Sequence, residues 1–136
     1  MAFVHGKNTV FKIDNSGGTL TDISAYCNNV DFPREVDAPE VTTFGDDDRE
    51  YIVGLRTATI SVSGLWDATL DGVLGPDLDA GIILDFEYGP AGSGGGSVKY
   101  SGSCILTSYG HTSPVDGAAA FSADFQVTGA VTRGTF

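Results

Sequence analysis

Cations are scarce in this chain. Its 136 residues include seven Lys and Arg against eighteen Asp and Glu, for a formal charge of −11. So few cations cannot line a groove that tracks a phosphate backbone, and they cannot hold the chain to an anionic membrane. The sign leaves one relation to DNA open. A surface that DNA must slide past should be negative, because like charges repel and no counterions are released. Cysteine is nearly absent as well. Cys27 and Cys104 form no Cys-x-x-Cys pair, which removes zinc and dithiol redox motifs. The two histidines, His5 and His111, lie far apart without metal-ligand spacing and read as surface residues. No apolar run approaches a membrane span, and Met1 to Asn8 lacks a secretory pattern. The expectation is synthesis in a cytosol, with both cysteines reduced and acting as small buried hydrophobes.

What is abundant is glycine, with 19 copies. That is roughly twice average usage and shows no triplet period, which suits many tight turns between short strands. Hydrophobic residues at 41% give a single domain enough core to fold without a staple. Strand signals recur along it. Asn8 to Asp14 leads into the turn Asn15-Ser16-Gly17-Gly18, and Thr19 to Ser24 leads into Ala25 to Val36 with Pro33 near its end. Thr57 to Trp66 alternates cleanly, with Ala58, Ile60 and Val62 on one face. Ile82 to Gly89 puts Ile82, Leu84, Phe86 and Tyr88 opposite Asp85 and Glu87. Ser97 to His111 puts Val98, Tyr100, Cys104 and Leu106 on one face. In Ala120 to Val131, Phe121, Ala123, Phe125 and Val127 turn inward, away from Ser122, Asp124, Gln126 and Thr128. One stretch changes period. Leu70, Val73 and Leu74 mark a short helix in Asp67 to Ala80, capped by Asp67 and expected to end or kink at Gly75-Pro76. The sum is a mainly β domain over residues 1–136: an antiparallel β-sandwich or barrel-like fold of six to eight strands with one flanking helix.

Tests for chemistry fail one after another. There is no Gly-x-Ser-x-Gly elbow, and neither cysteine has a basic neighbour in sequence to lower its pKa. Gly92 to Lys99 lacks the spacing of a phosphate loop and precedes a strand, so no helix N-terminus is there to hold phosphate. Asp46, Asp48 and Glu50 alternate like a calcium loop, but Tyr51 stands where glycine is needed and Thr57 where glutamate is needed. Asp85 and Glu87 share a strand face, where a solvated pair is commoner than a catalytic one. The expectation is a non-enzymatic chain with no cofactor and no metal.

One segment is specific. Thr42-Thr43-Phe44-Gly45, the polar loop after it, Tyr51-Ile52-Val53-Gly54-Leu55, the alternating strand Thr57 to Ser63 and the helix-leading Asp67 follow in order, with Ile23-Ser24-Ala25-Tyr26 upstream. Together these resemble the major tail proteins, or tail tube proteins, of long-tailed (siphovirus-type) bacteriophages. The resemblance implies subunits that join sheets into hexameric rings and stack the rings into a hollow tail tube. Edge strands then become an assembly device. It implies that the loop at about 35–55 reaches the next ring. There Asp46, Asp47, Asp48 and Glu50 would meet cations on a neighbour, Arg49 and Arg56 would answer acids, and Tyr51 lies beside them. Charged and poor in core residues, the loop is expected to be disordered until a neighbour covers it. Asp85, Glu87 and Asp124 become candidates for an acidic lumen through which DNA passes without specific binding.

The partners implied are other copies of the chain and, at the tube ends, tape measure, tail terminator and distal tail proteins. The place implied is the virion tail, after assembly in the bacterial host cytoplasm, with no membrane involved. Two rivals stay open. One is another virion part: a head–tail connector, tail terminator or capsid decoration protein, forming closed rings or trimers. The other is a carbohydrate-binding β-sandwich presenting Trp66, Tyr88, Tyr100 or Tyr109 for sugar stacking.

Overall fold

The computed structural model describes residues 3–136, so the start of the Met1 to Asn8 segment lies outside them. The strands are β1 (Val10–Asp14), β2 (Leu20–Asp22), β3 (Cys27–Asp31), β4 (Arg34–Val36), β5 (Arg56–Leu65), β6 (Ile83–Gly89), β7 (Val98–Thr112) and β8 (Ala120–Thr135), with helix α1 (Ala68–Ala80) between β5 and β6. They form one antiparallel sheet in the order β2-β1-β6-β7-β8-β5-β3, and β4 pairs with the start of β5.

That sheet curls so that strands far apart in its order face each other across the interior. Phe11 on β1 and Phe125 on β8 are three strand spacings apart, roughly 14 Å in a flat sheet. Their ring centroids lie 6.0 Å apart. Phe32, just after β3, reaches still further and packs edge-on against Phe86 and Tyr88 of β6 and Tyr100 of β7. Of the two architectures the alternation allowed, the barrel-like one is adopted. The core lies inside the curl: Phe11, Ile13, Ile60, Val62, Leu84, Phe86, Leu106 and Phe125 are buried from the sheet, with Leu70, Val73 and Leu74 supplied by α1. Cys104 belongs to this core and Cys27 packs at its margin; both are free thiols.

Helix α1 begins as its sequence dictates, with the Asp67 carboxylate accepting from the Thr69 amide at 3.1 Å. It does not end at Gly75-Pro76. Pro76 sits inside the helix, which runs one more turn to Ala80 and stops at Gly81, the residue that takes φ of 61°. A proline costs one backbone hydrogen bond. Here the turn beyond it carries the fully buried Asp77, so packing against the sheet holds it in place. Ile82 is the other departure, lying outside β6 and partly exposed. Both departures fall at an element end, where tertiary packing outweighs local pattern.

Candidate assembly interface

The segment between β4 and β5 is a hairpin arm. Backbone hydrogen bonds continue the β4–β5 pairing outward. The Asp37 amide donates to the Leu55 carbonyl, Gly54 to Asp37, Ile52 to Pro39 and Val41 to Glu50, and Glu40 bridges Tyr51. The arm therefore has its own backbone order, contrary to the disorder its composition suggested. Its tip is fastened by Asp46, whose carboxylate accepts from the Thr43 amide at 2.8 Å, next to Gly45 at φ 95°. Asp47 and Asp48 project into solvent, and Arg49 lies 3.9 Å from Glu40 in an exposed pair that contributes little. Tyr51 is half exposed on the returning strand. Arg56 does not join the tip acids. It is the first residue of β5, at the root of the arm opposite Val36.

Charge had singled out the tip, but the arm also carries a set of uncovered apolar residues. Val36, Val41, Phe44, Tyr51, Ile52, Val53 and Leu55 are all exposed, with Phe44 wholly so. Val53 and Leu55 expose 77% and 81% of their surface on an element that touches no core. Large exposed apolar surface on one projecting element marks an interaction site. The signal was present in the sequence as Tyr51-Ile52-Val53-Gly54-Leu55, which entered there only as part of the family resemblance.

The outer face of the curled sheet is largely polar, broken by the exposed Ile83–Ile105 pair. Register places Asp85 opposite Ser103, Asp124 opposite Ser61, and Ser61 opposite Asp31. Asp85 and Asp124 are exposed and accept hydrogen bonds from Ser103 Oγ (3.1 Å) and Ser61 Oγ (3.0 Å). Glu87 differs, since its carboxylate holds Lys99 Nζ at 3.1 Å and is only partly exposed. Asp22 and Asp31 join the same face and had no signal of their own, because their strands alternate weakly. On that face Asp22, Asp31, Asp85, Glu87 and Asp124 outnumber Lys12 and Lys99.

Among the described residues no group of three or more His, Cys, Asp or Glu is placed to hold a metal ion. A cavity of about 430 Å³ opens between the N-terminal turn and β3, lined in part by Lys7, Ser24, Cys27 and Tyr88. Its Ser24 hydroxyl is bound to the Phe11 amide at 2.8 Å and to Asp22. Burial, with Asp22 nearby, pushes the Cys27 thiol up to about 12, so it carries no thiolate at neutral pH. Asp77 is buried with neither carboxyl oxygen hydrogen-bonded among the described residues. Burial, and then the Asp14 charge, raises it to about 6. The four aromatics of the sugar-binding alternative form no platform. Tyr88 and Tyr100 stack beside Phe32, while Trp66 and Tyr109 flank His111, and all four are partly buried.

The family model for "phage tail tube protein" matches residues 3–133. The chain belongs to the phage tail tube protein family. No curated protein sequence matches it. Solved structures share its fold. The tail of an empty gene transfer agent particle, refined with C6 helical symmetry, is 22% identical with a TM-score of 0.84, covering 98% of this chain and 100% of that one. The SPP1 tail tube is 14% identical with a TM-score of 0.77, over 98% and 80% of the two chains. A chain of the anti-feeding prophage baseplate is 8% identical with a TM-score of 0.71, over 99% and 96%. Membership gives the chain a structural role in a phage tail tube. The uncovered arm fits that role.

Proposed function

We propose that this tail tube chain forms hexameric rings stacked into a hollow tube, with the arm joining each ring to the next. The single observation that carries the reading is the arm, a hydrogen-bonded hairpin whose apolar residues nothing in its own subunit covers. What supports the sixfold order is likeness of fold to the tail refined with C6 symmetry. Open edges at β2 and β3 suit side-by-side joining within a ring. The largely polar outer face lines the bore, where Asp31, Asp85 and Asp124 repel DNA so that it slides without binding. Glu87 adds little, being neutralised by Lys99.

The tube belongs to the tail of a long-tailed phage and assembles in the bacterial host cytoplasm. Tape measure, tail terminator and distal tail proteins meet it along the bore and at its ends. Electron microscopy of the purified chain across concentrations tests the reading. Hollow tubes are expected. Closed rings alone would favour a connector or terminator, and monomers throughout would refute assembly by this chain.

A further inference from the structure

The sheet splits at the root of the arm. β5 pairs with β8 only from Thr59 to Leu65, and its first residues, Arg56 to Ala58, pair with β4 on the opposite edge. β8 swings away after Gln126, past Gly129 at φ 79°, and continues against β7. The Gln126 amide spans the start of the split, donating to the Ala58 carbonyl at 3.1 Å. Beyond it lies a groove of about 550 Å³, with Ala58, Val127 and Val131 as apolar lining and Arg34 and Arg56 as its cations. Glu35 is the one acid in that lining.

We propose that this groove receives the arm tip of a second copy of the chain. The assignment rests on arm-mediated stacking and names the receptor for it. Charge argues for the occupant. In a chain with seven cations, two are exposed at this groove, and the Arg34 guanidinium is held there over the Tyr100 ring, 4.7 Å from its centroid. The tip offers the complement. Phe44 is bare for the apolar lining, and Asp47 and Asp48 are unspent for the arginines, whereas Asp46 is occupied by Thr43. Geometry argues for a second copy. Tip and root stand at opposite ends of a hairpin roughly 25 Å long at strand rise, so an arm does not reach its own groove. Each copy gives a tip and takes a tip, which is a heterologous contact that propagates in a line.

A charge exchange tests the assignment. Asp47→Arg with Asp48→Arg gives a tip variant, and Arg34→Asp with Arg56→Asp gives a groove variant. Each alone should need about tenfold or more protein to form tubes, since like charges now face each other. An equimolar mixture should restore tubes, because each tip then finds an opposite groove. A groove variant that assembles like wild type, or a mixture that fails although both proteins show native circular dichroism, overturns the assignment. Phe44→Cys combined with Val131→Cys should give a ladder of intermolecular disulfides in assembled tubes. A species that stops at two chains indicates closed arm exchange and overturns the propagating contact. The two readings fail separately. If wild type makes no tubes, stacking itself is wrong. If wild type makes tubes, arm-deleted protein does not, and groove variants do, only the groove is wrong.

Discussion

Gly54 passes Asp37 so closely that a β-carbon built on it would lie 2.8 Å from the Asp37 β-carbon and 3.0 Å from the Asp37 carbonyl oxygen. Their backbones are hydrogen-bonded at that crossing, close to where the arm leaves the sheet. Gly54→Val should therefore distort the arm and leave the core alone, since the arm contributes no buried residue. Thermal unfolding should shift by no more than a few degrees, the usual effect of a change away from the core. Tube formation should fall sharply in sedimentation. A variant that polymerises normally would show that arm geometry is not needed.

Tyr109 ties β7 to the helix, donating from its hydroxyl to the Asp71 carboxylate at 2.8 Å. Tyr109→Phe keeps the ring and removes the bond to a charged acceptor, at a cost of about 1.5–3 kcal/mol. Urea unfolding measures it. An unchanged midpoint would mean that water replaces the hydroxyl without loss.

Asp77 makes stability depend on pH. Its folded value, about 6, stands above the ordinary 3.8, so the folded state binds the proton more tightly. That contribution is whole below about pH 4 and is lost as pH rises toward 6, amounting to about 3 kcal/mol at most. Above that range the core holds a charge facing Asp14 on β1, with the Cys104 thiol on β7 nearby. Asp77→Asn removes this term, so the difference in unfolding free energy between wild type and variant should change between pH 4 and 6 and be flat above. A difference that is constant with pH would place the titration elsewhere.

The Glu87–Lys99 pair changes which acids test the bore. Neutralising Glu87 also frees an ammonium, whereas Asp85 and Asp124 hold only serine hydroxyls. Asp85→Asn with Asp124→Asn should leave tubes intact and slow DNA ejection, read as the time course of release from assembled particles. Adding Glu87→Gln should slow it further. If the double variant forms no tubes, this face is an interface and not a bore.

Much of this was legible beforehand because strand alternation states burial directly. Phe121 to Val127 and Ala58 to Val62 declare their inner faces residue by residue, and the order of elements follows. The curl was not legible, since Phe32 meeting Phe86 and Tyr100 depends on how far the whole sheet bends. The helix end was misread because Gly75-Pro76 is a local stop that packing of Asp77 overrides. In the assembly region the acidic tip drew attention through charge. The apolar arm behind it was missed, because an uncovered Val53 or Leu55 looks in sequence like any core residue. The groove was invisible because it exists only where β5 and β8 part.

The most direct test of the account is a helical reconstruction of tubes grown from the purified chain by electron cryomicroscopy. The account predicts stacked six-subunit rings, each arm crossing to the adjacent ring, and Asp31, Asp85 and Asp124 facing the bore. Tubes in which the arm folds back on its own ring, or whose bore is lined by another face, would contradict it.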